Sequence, residues 1–325
     1  LILGTVGATF YLIGIGLLYQ ATGTLNFTDL AERVPLLNDS RTIRAAFAFL
    51  TVGISLKLAL FPLHFWLPNA YAFAPSVVTA LLAGTATKVA LYVLLRIFFT
   101  LFGNGFSFDA MPVEVILVPL AVGAVFVGSA AAIFEHDIKR MLAYSSIAQI
   151  GYMVLGIALA TVLGLTGGIV HMFNHAVIKT ALFLALACAV WRVGPPTLDA
   201  IAGLGRRMPL TMAAFVVAGM SLIGVPGTAG FVSKWYLVIG ALERDWWWIA
   251  LVIIVGSLLS VVYVWRIIEV AYFRPVPDGA PSGEAPLLML VPTWVLVAAS
   301  VYFGIDTRNS VGVARHAAES LLGLV

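Results

Sequence analysis

Residues 55–68 read SLKLALFPLHFWLP, from Ser55 to Pro68. The stretch continues an apolar run that begins near residue 45, yet it places Lys57, Pro62 and His64 within eight residues of one another. A cation and a helix breaker in so apolar a segment require surroundings that tolerate both. Those surroundings are the key to the fold.

Composition supplies the frame. Soluble domains carry about 25% charged residues. Here 325 residues are 62% hydrophobic and 10% charged, with a mean hydropathy of +1.05. That balance describes an all-α polytopic membrane protein with little room for a soluble domain. The net charge of +3 is modest, and no basic cluster exceeds Lys139-Arg140 or Arg206-Arg207. Such pairs suit loops at a membrane surface rather than a nucleic-acid site. The single cysteine, Cys188, excludes an internal disulfide and a thiolate metal cage. The chain opens at Leu1, inside an apolar run and without methionine, and reads as lacking its natural N-terminus.

Runs of about 20 apolar residues mark membrane-spanning helices. Nine are expected: 1–20, 43–66, 76–99, 112–134, 142–162, 165–191, 209–240, 247–273 and 286–304. The joints are short except 21–42, which reads as an amphipathic surface piece, and the tail from Asp306 reads as weakly amphipathic. Lysine and arginine divide almost evenly between the two sides, so charge leaves the orientation open. The cluster EHDIKR (135–140) tilts it towards the cytoplasm.

The lysines carry the functional signal. There are five, and Lys57, Lys88, Lys179 and Lys234 all fall inside expected spans, with Lys139 in a joint. Each intramembrane lysine costs about 2.5–3.5 kcal/mol on insertion scales. Snorkelling to an interface accounts for a lysine near a helix end, but Lys57, Lys88 and Lys179 lie about a dozen residues or more into their spans. Removal from water disfavours the ammonium form, which lets a buried lysine exchange its proton near ambient pH. The breakers fall beside these lysines. Pro62 follows Lys57, and Gly224, Pro226, Gly227 and Gly230 precede Lys234 in GVPGTAGFVSK. Proline inside a helix removes a hydrogen bond and clashes with the preceding turn. In a bilayer such backbone is tolerated only where protein or water covers it. Two interrupted helices at corresponding places in two halves suggest a transporter of inverted repeats, with its ion site at the breaks.

HMFNHAVIK adds His171, His175 and Lys179 at i, i+4 and i+8, on one helix face. The histidine spacing lacks the glutamate of a zinc peptidase and any evident third ligand. A facing-helix haem pair is the other metal reading. A stripe of titratable groups inside a membrane helix fits a proton wire better.

These segments together, FPLHFWLPNAYAFAPSVVTALLAGTATKVALYVLLR, HDIKRMLAYSSIAQIGYM, HMFNHAVIKTALFL and GVPGTAGFVSKWYL, resemble the antiporter-like subunits shared by respiratory complex I, Mrp-type cation/proton antiporters and membrane-bound hydrogenases. The resemblance implies 14 helices in that family, with two inverted five-helix repeats and one discontinuous helix in each. It places 1–99 as the last three helices of a partial first repeat, 112–273 as the second repeat, and 286–325 as an additional helix and tail. By the same resemblance Lys57, Lys88, His171, His175, Lys179 and Lys234 form the proton relay, and Pro62, Gly224, Pro226 and Gly227 mark the breaks. The family's partner glutamate for the first lysine would lie one helix upstream of Leu1. SKWYLVIGALE and VYVWRIIEVAYFRP resemble the D-type subunit of Mrp antiporters more than complex I subunits, with complex I or a hydrogenase as the alternative. His64 and Glu269 are accessory candidates, and for Glu269 a local ion pair with Arg266 is the plainer reading. Without a nucleotide-binding glycine loop or cysteine cluster, no cofactor is expected, and any redox chemistry belongs to partner subunits. A quinone-site redox subunit is the alternative of a different class, which would explain the aromatics and His64 but not the lysine row. The implied setting is a bacterial cell membrane, with other membrane subunits as partners, protons and sodium or potassium as ions, and no nucleic acid.

Overall fold

In the computed structural model, which describes residues 2–325, the chain is a helical bundle. Its helices are α1 (Ile2–Thr22), α2 (Phe27–Arg33), α3 (Arg41–Leu58), α4 (Trp66–Phe73), α5 (Ser76–Leu95), α6 (Glu114–Phe134), α7 (Ile138–Leu159), α8 (Val162–Val193), α9 (Leu204–Arg207), α10 (Pro209–Ile223), α11 (Ala229–Glu243), α12 (Trp247–Phe273), α13 (Leu287–Ile305) and α14 (Arg308–Leu321). Among the described residues seven helices are long and apolar enough to cross a membrane, with α5 extended through a π turn at Arg96–Leu101. The two remaining expected spans are the interrupted ones: 209–240 is built as α10–α11, and 43–66 holds α3 and the break after it, with α4 running on beyond that span.

Both breaks follow from local chemistry. At the first, Ala59 turns into the left-handed region (φ 60°), and Leu60 N–H donates to the Ser55 carbonyl at 3.0 Å, closing α3. Residues 59–65 are non-helical, the Phe61–Pro62 peptide is cis, and the Trp66 indole N–H reaches back to the Leu56 carbonyl at 2.8 Å. At the second, Gly224 (φ 92°) ends α10 and Gly227 (φ 86°) continues the turn, conformations that glycine adopts without a Cβ penalty. Thr228, in extended conformation, then starts α11.

Several boundaries differ from the sequence expectation. The helix at 142–162 starts earlier, at Ile138, because Asp137 caps it by accepting from Arg140 N–H at 2.9 Å. Lys139 therefore belongs to the first turn of α7 rather than to a joint, and it is buried, donating to the Ala74 carbonyl at 3.0 Å. The tail is no weak amphipath. α14 packs on α8 with Ala314 and Ala318 buried beneath its charged outer face.

Helix α7 is the axis, with 94% of its most apolar window buried. It meets its neighbours through glycine. A Cβ on Gly151 would lie 2.6 Å from the Ala121 carbonyl of α6, and one on Gly156 would lie 2.8 Å from Gly168 of α8. Small residues at such crossings let helix backbones approach within a bilayer. The apolar core divides into two clusters. Along α7, residues 150–159 join one and residues 138–147 lean on the other. The same division occurs on α5, α8, α10–α11 and α12, so a belt of polar residues is left at mid-depth.

A buried lysine and histidine row at mid-depth

The belt is where the sequence-predicted residues meet. On α5, Lys88 lies between Ala83, in one apolar cluster, and Ala90, in the other. On α8, His171 and His175 lie between Leu165 and Ile178, and Lys179 follows directly. On α11, Lys234 lies between the second break and Leu237. Lys88, Lys179 and Lys234 are 7%, 0% and 6% exposed, so none reaches an interface. Lys88 lies within electrostatic reach of His171, His175 and Lys179, and Lys234 within reach of both histidines. Gly84 brings α5 and α8 this close, since a Cβ there would collide with the Thr180 hydroxyl.

Each group has its own holding arrangement. Lys88 donates to the Ala83 carbonyl of its own helix. Lys179 donates to the Leu142 carbonyl at 2.8 Å and to the Ser145 hydroxyl, both on α7. Lys234 reaches across the second break and donates to the Leu222 and Ile223 carbonyls at 3.1 and 2.8 Å. Those are the orphan carbonyls at the end of α10, where the helix dipole favours a cation. Its ammonium also sits 5.0 Å from the centroid of the Tyr152 ring. Pro226 and Gly227 thus shape the turn that lets a lysine on one half-helix cap the other. His171 accepts or donates at both ring nitrogens, with Gln149 Oε1 at 3.0 Å and Ser233 Oγ at 2.8 Å. His175 stacks on His171 at 6.0 Å between ring centroids, and neither of its nitrogens has a protein partner.

The row contains no carboxylate. Among the described residues none of the ion pairs includes a lysine, and no group of three metal-ligating side chains forms. A row of exchangeable groups without fixed counter-ions can pass a positive charge along, because each site holds it only against its neighbours' repulsion.

The remaining candidates lie outside the row. Lys57 is exposed on the outer side of α3, apart from the buried row. Glu269 is likewise exposed, and Arg266 is not its partner. The Arg266 guanidinium instead donates to the Ile133 and Glu135 carbonyls, tying α12 to the end of α6. His64 is buried in the first break between the Phe61 and Phe65 rings, at 5.4 and 4.6 Å, and its Nδ1 has no protein partner. The sequence reading passed over Ser145, Gln149 and Ser233. The available signal was Ser145 and Gln149 at i, i+4 in an otherwise apolar span.

The chain is similar to known proteins in sequence and in fold. A family profile described as NADH:quinone oxidoreductase/Mrp antiporter, TM, matches residues 1–260. The N-type subunit of the NADH-quinone oxidoreductase of Desulforudis audaxviator is 44% identical over 318 residues, which cover 94% of this chain and 63% of that protein. The D-type subunit of the Na(+)/H(+) antiporter of Alkalihalophilus pseudofirmus is 30% identical over 304 residues, covering 93% and 61%. The chain therefore spans a little over 60% of the length of these curated relatives. A chain in the structure of the Mrp complex from Dietzia sp. DQ12-45-1b superposes with a TM-score of 0.88 at 28% identity, covering 98% of this chain and 66% of that one.

Proposed function

The chain belongs to the NADH:quinone oxidoreductase/Mrp antiporter family of integral membrane proteins, and from that premise we propose that it is a proton-translocating, antiporter-like subunit. The observation that carries this reading is the buried row Lys88, His175, Lys179, His171 and Lys234, drawn from three helices onto one polar belt without a carboxylate. A passive scaffold gains nothing from charges that cost about 2.5–3.5 kcal/mol each. Lys57 joins the row in this reading through its place beside the first break, which mirrors Lys234 beside the second.

The repeat boundaries belong to the same proposal. Residues 1–99 form the last three helices of one repeat, 112–273 a second repeat and 286–325 an addition. In support, α1 packs on α3 as α8 packs on α10, and α3 packs on α5 as α10 packs on α12. The partners are other membrane subunits, the setting is a bacterial inner membrane, and the ions are protons with sodium or potassium as counter-transported candidates. Identity of 44% to an N-type quinone oxidoreductase subunit against 30% to a D-type antiporter subunit favours assembly with a redox complex whose electron carriers lie in other subunits.

Lys88 tests the mechanism. A guanidinium stays protonated in proteins, so Lys88→Arg keeps the charge and removes the exchange. Both Lys88→Arg and Lys88→Ala should lose most proton transport in membrane vesicles while the detergent-stable complex forms in normal yield. Near-normal transport by a well-assembled Lys88→Arg protein would falsify the relay.

A further inference from the structure

His171 of α8 is held between two other helices. Gln149 Oε1 of α7 lies 3.0 Å from Nε2, and Ser233 Oγ of α11 lies 2.8 Å from Nδ1. The Ser233 hydroxyl also lies 3.1 Å from the Gly230 carbonyl in the first turn after the second break. All three side chains are at most 2% exposed, so water does not compete freely for these bonds.

The donor count is informative. An amide oxygen only accepts, so Nε2 carries a hydrogen in both charge states and Nδ1 is the nitrogen that gains and loses one. Ser233 has one hydroxyl hydrogen and two acceptors in reach. With His171 neutral, that hydrogen points to Nδ1. With Nδ1 protonated, the Nδ1–H donates to Oγ and the hydroxyl turns to the Gly230 carbonyl. Every hydrogen on His171 and Ser233 finds an acceptor in both states, and only a hydroxyl rotation separates them, while the Gln149 amide nitrogen has no partner in either.

The surroundings make these two bonds matter. The charges acting on His171 are Lys234 of α11 and Lys88 of α5. The ring also meets His175 of its own helix at 6.0 Å and Tyr152 of α7 edge-on at 5.7 Å. Tyr263 of α12 faces Ser145 and Gln149 behind it. None of these is a carboxylate. The imidazolium is therefore stabilised by neutral acceptors alone.

We propose that Gln149 and Ser233 are positioning residues for proton exchange at His171. Gln149 sets the tautomer, and the Ser233 hydroxyl, one residue from Lys234, is a two-position rotor that passes the charge state of His171 to the Gly230 carbonyl in the first turn of α11. The inference rests on the row being a proton path.

The assay is the pH profile of proton transport by the assembled complex in proteoliposomes, together with the nitrogen spectrum of 15N-histidine-labelled protein, His171 being assigned by its loss in His171→Gln. Losing one charge-assisted bond shifts proton affinity by about one to two pH units. Gln149→Leu and Ser233→Ala should move the acid-side midpoint to lower pH by about that amount. Gln149→Glu should move it to higher pH, and Ser233→Thr, which keeps a hydroxyl, should restore the wild-type midpoint. The spectrum should show neutral His171 protonated at Nε2 in the wild type and a mixture of tautomers in Gln149→Leu. Shifts of the same sign in Gln149→Leu and Gln149→Glu, unchanged midpoints, or a wild-type Nδ1–H tautomer would overturn the proposal. Should the wild type move no protons, the transport reading falls alone and the spectrum still decides the rotor.

Discussion

Replacing Lys88 by methionine separates what the residue does for the bundle from what it does for transport. The Lys88 ammonium donates only to the Ala83 carbonyl of its own helix, which the backbone ladder of α5 already supplies with a partner. Its removal therefore orphans no acceptor. An isolated lysine at mid-depth costs about 2.5–3.5 kcal/mol, and the lost hydrogen bond contributes about 0.5–1.5 kcal/mol. Lys88→Met should accordingly raise stability by roughly 1–3 kcal/mol, with methionine filling the same slender volume. Lys234→Met should behave oppositely. It leaves the Leu222 and Ile223 carbonyls at the end of α10 without their donor, at about 1–3 kcal/mol each, which cancels or exceeds the gain. Unfolding of the purified protein in mixed micelles measures both, and proton uptake by vesicles measures the function each variant loses. A Lys88→Met protein less stable than wild type by more than about 1 kcal/mol, or no more stable than Lys234→Met, would refute the reasoning and give Lys88 a structural role.

Two further outcomes test the packing that brings the row together. Gly240→Ala puts a methyl group 2.6 Å from Gly164 N, forcing α11 away from α8. It should cost about 1–3 kcal/mol, whereas Gly16→Ala in α1, with nothing within 4 Å, should be neutral or stabilising by about 0.5–1 kcal/mol in the same unfolding assay. Glu284 accepts from Leu210 N–H, Thr211 N–H and the Thr211 hydroxyl at 2.6, 3.2 and 2.7 Å, capping α10 from a distant loop. Glu284→Ala should cost about 0.5–2 kcal/mol and speed hydrogen exchange at the start of α10. Unchanged exchange there would show that the cap contributes nothing.

The sequence by itself determined the spans and the breaks, because both depend on local properties. A run of apolar residues must become a helix in a bilayer to satisfy its own backbone. Gly224 and Gly227 split 209–240, and Pro62 lies inside the break that follows the end of α3 at Leu58. Where an end depends on a cap, as Asp137 caps α7, the boundary moved by four residues from 142 to Ile138. Which side chains face one another was decided only by the tertiary structure. Lys57 and Lys88 look alike in sequence, yet among the described residues Lys57 is exposed whereas Lys88 is buried where α5 approaches α8 around Gly84. Arg266 and Glu269 share a helix face and do not pair, since the free carbonyls at the end of α6 offer Arg266 acceptors from another helix. Gln149 and Ser233 are ordinary polar residues until packing of α7 and α11 places them 3.0 and 2.8 Å from the two nitrogens of His171. Helical periodicity says which residues share a face. Only the close approach of particular helices, set by where glycine removes a Cβ, decides which faces meet.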